Sequence, residues 1–233
     1  MIVGKIFNCE QILKRTVRDH ALRVDTNKVM KAIDRLKVSR SEAGICTSLD
    51  ALRGIEGNAA SVYYSAFEEC ILNQNEVFYF KTRNRRPPLD PVNAMLSFSY
   101  SLLASETAAA LEGVGLDSYV GFLHRDRPGR TSLALDVMEE LRPIVADRFV
   151  LKMINRQQIT RNDFIVKENK AVILTEDARK NFLQLWQKEK QETITHPFLK
   201  EKIQWGLIPH VQALLLARYL RGDLDAYPPI LIR

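Results

Sequence analysis

Apolar residues recur at helical spacing along most of this 233-residue chain, and a strand-like pattern is confined to one short stretch. Ile12, Leu13, Val17 and Leu22 stand among charges between Glu10 and Leu22. Val29, Ile33 and Leu36 repeat the pattern one segment later, so two amphipathic helices open the chain. Ala59, Val62, Tyr63, Ala66, Phe67 and Cys70 make one broad stripe and predict a third helix over Asn58–Leu72, beginning just after Glu56 and Gly57. Lys81–Pro91 holds Arg83, Arg85, Arg86 and three prolines, a composition that cannot continue a helix and predicts an exposed basic connection. From Val92 to Leu103 the apolar character is almost unbroken, as expected of a helix buried on most sides.

SLALDVMEELR is a short helical pattern that Pro143 either ends or restarts, and Ile144–Ile154 reads as a further helix. Phe164–Val166 and Ala171–Leu174 flank a polar turn and predict a β-hairpin. Thr175 is placed to cap a helix running to about Glu192, a last helix covers Glu201–Leu220, and the tail YPPILIR is extended. The fold class is mainly α: one compact multi-helix domain with a single small hairpin near residues 164–174.

An apolar content of 46% is enough to build a core, so disorder is not the default reading. Lys and Arg exceed Asp and Glu by 34 to 28, which favours a polyanionic partner without identifying one. Three widely spaced cysteines, in no C-x-x-C arrangement, argue against a disulfide framework and a zinc site, and fit a reducing cytoplasmic setting. No apolar run has the length a bilayer requires, so a membrane partner is not expected.

The chemistry concentrates in GFLHRDRPGRTSLALDVMEELRP. Asp136, Glu139 and Glu140 fall at i, i+3 and i+4, which raises their carboxylates from one helix face. Such a face is either solvated or neutralised by a cation. His124, joined to carboxylates, would make a mixed nitrogen and oxygen site suited to Mn²⁺ or Mg²⁺; a lone surface histidine is the competing reading. Arg125, Arg127 and Arg130 stand beside it, and with Arg83, Arg85 and Arg86 they supply six positive charges in two loops, a DNA track if those loops meet. Tyr63 and Tyr64 either stack on a base or pack in the core, and Asn93 either faces the site or caps its helix.

The strings EGNAASVYY, RNRRPPLDPVNAMLSFSYSLL, VGLDSYVGFLHRDRPGRTSLALDVMEELRP and HVQALLLARYLRGDLDAYPP, in this order, resemble the C-terminal catalytic domain of the CRISPR-associated endonuclease/integrase family Cas1, in its type I branch. The resemblance runs collinearly over essentially the whole chain. It implies that Glu56 of the E-x-N-A pattern, His124 after V-G-F-L, and Glu139 bind the catalytic metal, with Asp136 in support. Many relatives carry aspartate where this chain has Glu139. It further implies Mn²⁺ or Mg²⁺ as cofactor, with double-stranded DNA (protospacer and CRISPR repeat), the second protein Cas2 and a homodimer as partners. The reaction implied is metal-dependent joining of new spacer DNA to the repeat. By the same resemblance, residues 1–8 are the connection out of an N-terminal β-rich domain and residues 9–233 the helical catalytic domain. The alternative is a non-catalytic DNA-binding and assembly fragment.

Overall fold

Four helices begin at a short polar side chain that accepts a backbone N–H of the first turn, the group a helix start otherwise leaves unpaired. Asp25 accepts from Lys28, Ser48 from Ala51, Asp90 from Asn93 and Thr175 from Ala178. In the computed structural model, which describes residues 1–125 and 127–232, the helices are α1 (Ile2–His20), α2 (Thr26–Ile45), α3 (Leu49–Ser65), α4 (Pro91–Gly113), α5 (Ser132–Leu141), α6 (Arg148–Asn155), α7 (Glu176–Gln191) and α8 (Ile208–Leu220). α1 packs on α2, α3 and α5, while α4 crosses α5, α6 and α8. The main core is built from Ile6, Leu13, Ile33, Leu36, Phe67, Met95, Phe149, Phe182 and Trp186. A smaller cluster of Leu111, Leu133, Val137, Ala213 and Leu216 seals α4 and α5 against α8.

The mainly helical class holds, and the hairpin lies where expected: β1 (Phe164–Val166) pairs antiparallel with β2 (Val172–Leu174), Ile165 opposite Ile173. A second antiparallel pair, β3 (Thr193–Thr195) and β4 (Lys202–Gln204), was not expected. It takes up residues assigned by pattern to the last helix, which instead starts at Ile208 with Pro209 in its first turn.

Helix starts are the other differences. α3 begins at Leu49, so Glu56 sits in mid-helix and not ahead of it. α1 begins at Ile2, and residues 1–8, read from the sequence as a connection, lie at and within its start with Ile2 and Ile6 in the core. α4 continues ten residues beyond Leu103 to Gly113. Pro143 neither ends nor restarts a helix: residues Arg142–Asp147 form a π-helical turn that carries α5 into α6. Proline lacks the N–H that the α-helical ladder would demand there, and the Arg148 N–H reaches back to the Pro143 carbonyl. The extended tail is pinned to α1, where the Asn8 side chain donates to the Ile230 carbonyl (2.8 Å) and accepts from Ile232 N–H (3.1 Å).

The cysteines are free thiols, and among the described residues no helix is long and apolar enough to cross a membrane.

Candidate active site

Three packed helices bring their functional residues to one place: Lys5 from α1, Glu56 from the middle of α3, and Glu139 from the last turn of α5. The Lys5 ammonium contacts Glu56 and lies 2.6 Å from Glu139 Oε2. Arg142, one turn beyond Glu139, forms an ion pair with Glu139 Oε1 at 2.9 Å. Glu139 is only 2% exposed. Burial alone would raise its pKa, but Arg142 and Lys5 outweigh that and bring it down to about 2, so the carboxylate is ionised at neutral pH. Burial opposes the charge on Lys5 too, and there Glu139 and Glu56 prevail and hold the ammonium firmly protonated.

His124 comes from the loop before α5, and Asp136 fixes that loop. Its Oδ2 accepts the backbone N–H of Phe122 (2.6 Å) and Leu123 (2.9 Å); its Oδ1 accepts that of His124 (3.0 Å) and the His124 ring Nδ1 (2.5 Å). A carboxylate so engaged can only accept, so Nδ1 carries a proton and Nε2 is the nitrogen that a neutral ring offers as a ligand, 3.9 Å from Glu139 Oε1. The loop approaches α5 so closely that a Cβ on Gly121 would lie 2.7 Å from Ser132 Cβ and 2.9 Å from Asp136 Oδ2, which only glycine avoids. Arg53 Nε holds the Leu123 carbonyl at 2.7 Å and ties the loop to α3 as well.

The acidic face expected at Asp136, Glu139 and Glu140 therefore fans out. Asp136 serves the loop and Glu139 faces Lys5, whereas Glu140 turns to the tail, accepting from Tyr227 OH (2.6 Å) and Gln212 Nε2 (2.6 Å). Burial raises the pKa of Glu140, and it has no part in the cluster.

The arginines of the two loops differ in what they contact. Arg83 points inward, donating to Asn93 Oδ1 (2.7 Å) and Ser97 Oγ (3.1 Å). Asn93 is the hub of that docking and does not cap its helix, which falls to Asp90. Arg85, Arg86 and Arg127 are exposed, Arg130 is half-buried, and the exposed Arg125 pairs with Asp50 at 3.2 Å. Among the described residues no hydrogen bond or ion pair links residues 83–86 to 125–130.

Tyr63 and Tyr64 belong to an internal network. Tyr63 and Tyr100 donate to the Asp147 carboxylate (3.0 and 2.6 Å), and the Tyr64 and Tyr100 hydroxyls meet at 2.6 Å. The Tyr100 ring lies between the Arg83 and Arg142 guanidinium groups, 5.3 and 5.2 Å from its centroid. Burial raises the Asp147 pKa from 3.8 to about 6 although both hydroxyls favour its ionised form. The folded protein thus retains a proton that the unfolded chain loses, and native stability falls as pH rises through that window. Asp147→Asn escapes the loss. Its unfolding free energy relative to the parent is expected to be higher by about 2 kcal/mol at about pH 7.5 than at about pH 4 in urea titrations, and an unchanged difference would refute the assignment.

Among the described residues no three His, Cys, Asp or Glu side chains are gathered closely enough to hold a metal as they stand, because the Lys5 ammonium lies between Glu56 and Glu139. The donor set nevertheless fits a hard divalent cation: two carboxylates already bound to one positive charge, with an oriented imidazole nitrogen at their edge. Lys5 and Arg142 were absent from the sequence reading. Arg142 lies three residues from Glu139 and was within reach of a helical-spacing argument, but Lys5 carried no local signal.

A profile of the family described as "CRISPR associated protein Cas1" matches residues 1–188. "CRISPR-associated endonuclease Cas1 2" of Rhodospirillum rubrum is 50% identical over 233 residues, 98% of this chain and 68% of that one. "CRISPR-associated endonuclease Cas1 1" of Chlorobaculum tepidum is 48% identical over 232 residues, 100% of this chain and 68% of its own. The chain thus spans about two thirds of these relatives. Among solved structures, "Casposase bound to integration product" superposes with a TM-score of 0.78 at 26% identity, over 97% of this chain and 60% of that one. The "Cas6-RT-Cas1--Cas2 complex" gives 0.83 at 25% identity, over 100% and 24%. By profile, by identity over its whole length and by fold, the chain belongs to the Cas1 family of CRISPR-associated endonucleases.

Proposed function

We propose that this chain is the metal-dependent DNA-cutting and DNA-joining unit of CRISPR adaptation, acting through Glu56, His124 and Glu139. The observation that carries this reading is the convergence of two carboxylates from separate helices on one cation, beside an imidazole whose ligating nitrogen is left free by Asp136. Glu56, Glu139 and His124 Nε2 would hold Mn²⁺ or Mg²⁺, which when bound polarises a phosphodiester and favours the attacking hydroxylate. Asp136 keeps His124 in the ligating tautomer and the loop in place. Arg142 stays charged and offers a positive group beside the phosphate. A 3′-hydroxyl nucleophile gives joining and water gives nicking, from the same residues.

The charge distribution supports a polyanionic partner. A groove of about 820 Å³ between α1 and α6 is lined by seven lysines and arginines, among them Arg15, Arg18, Arg148 and Arg156, against Asp19 and Glu189. The exposed Arg85, Arg86, Arg125 and Arg127 add to this, whereas the inward-facing Arg83 is assigned to structure. One structural neighbour is a casposase bound to an integration product and another a complex that contains Cas2, which supports protospacer and repeat DNA and Cas2 as partners; the homodimer is proposed from the family resemblance alone.

The test is nicking of branched DNA by the full chain in Mn²⁺ and in EDTA, with calorimetry of Mn²⁺ binding. His124→Ala removes a ligand and is expected to lower affinity and activity by more than the about 10- to 100-fold typical of losing an outer-shell partner. Retention of DNA binding with no Mn²⁺ heat and no nicking would leave a DNA-binding and assembly module in place of the enzyme.

A further inference from the structure

Lys5 occupies an unusual position for a lysine: 8% exposed, on a core helix, with its ammonium on two carboxylates that belong to two other helices. Glu139 Oε2 is buried and receives no well-aligned hydrogen bond, only the ammonium charge at 2.6 Å. Lys5 therefore acts there as a point charge, which is also how a divalent ion would act. Lys5 lies on Glu139 Oε2 and His124 Nε2 nearest Oε1, so an ion between His124 and the two carboxylates would stand close to the ammonium and be repelled by it in a site largely withdrawn from water.

Of the two cations on Glu139, Lys5 is the one built to leave. Arg142 is fixed by its place in the π-turn and by the Tyr100 ring 5.2 Å away. Lys5 has a flexible four-carbon stem and a compact charge. We propose that Lys5 is a resident counter-cation: it holds Glu56 and Glu139 together in the metal-free protein, must withdraw from them for the divalent ion to bind, and so sets the affinity of the site.

Resting as it does on the metal-site reading above, the inference makes two opposite predictions from one position. Lys5→Gln removes the competitor and is expected to bind Mn²⁺ about tenfold more tightly by calorimetry, with a lower melting temperature in EDTA and a larger gain on adding Mn²⁺. Lys5→Arg keeps the charge but replaces a mobile ammonium by a planar fork that grips carboxylates, and is expected to bind Mn²⁺ about tenfold more weakly while melting in EDTA as the parent does. A charge acting only through its distant field would leave Lys5→Arg equal to the parent, and that result overturns the proposal. Should Lys5→Gln fail to fold, Lys5→Arg decides, together with NMR of the labelled parent, in which Mg²⁺ must shift the Lys5 ε-methylene resonance. Mn²⁺ binding that His124→Ala weakens but neither Lys5 variant changes sinks this inference alone, whereas an absence of Mn²⁺ heat in the parent and both variants sinks the metal reading and the inference with it.

Discussion

Replacing Glu139 by alanine is expected to lower the unfolding free energy of the metal-free protein by about 3–5 kcal/mol and to abolish Mn²⁺-dependent nicking. The stability loss comes from the groups left behind: Lys5 and Arg142, both largely buried, would each lose the carboxylate that compensates its charge. Glu139→Gln keeps the volume and an acceptor for Arg142, so its stability cost should be smaller while the nicking defect remains. The same balance has a pH signature. Because the folded pKa lies near 2 against a usual 4.5, the contribution is complete above about pH 4.5 and is lost as pH falls toward 2. Denaturant unfolding in EDTA checks the first effect. A loss below about 1 kcal/mol would mean that water already compensates both cations.

Asp136→Ala is expected to cost about 3 kcal/mol or more and to reduce Mn²⁺ affinity and nicking by about 10- to 100-fold, although Asp136 is not placed as a metal ligand. One side chain receives three consecutive backbone N–H groups and the His124 ring, so its removal frees the loop and the imidazole together. Asp136→Asn should not rescue, since its amide NH₂ would face an N–H donor. Hydrogen exchange separates this from general destabilisation: protection at Phe122, Leu123 and His124 should fall while the centre of α4 stays protected. Unchanged exchange in the loop would count against Asp136 as its anchor.

Periodicity read the helices well where one face is apolar, as in α2 and α7, and it failed where composition hid the pattern. The apolar stripe of α3 becomes regular only after Gly57, yet the Ser48 cap and packing on α2 carry the helix through Gly54 and Gly57. β3 and β4 are three residues each, too short for alternation to register, and their half-buried Ile194 and Ile203 pair directly across the sheet. The carboxylates at i, i+3 and i+4 were correctly placed on one helix, but spacing cannot tell that Asp136 turns to its loop and Glu140 to the tail. The gathering of Glu56, His124 and Glu139 from separate segments came from family resemblance, because no local rule spans the packing of α1, α3 and α5. Lys5 was illegible for the same reason: its partners are 51 and 134 residues away along the chain.

The π-turn between α5 and α6 sets a phase. Each residue in an α-helix advances the face by about 100°, so adding or removing one residue within Arg142–Asp147 would rotate α6 by roughly that angle relative to α5. Phe149, Val150 and Met153 would swing away from the core while Glu139 kept its place. Substitutions along this stretch are thus a matter of local chemistry, but its length sets how α6 meets the core. A one-residue deletion there should be far less tolerated than one in the exposed turn at residues 167–170.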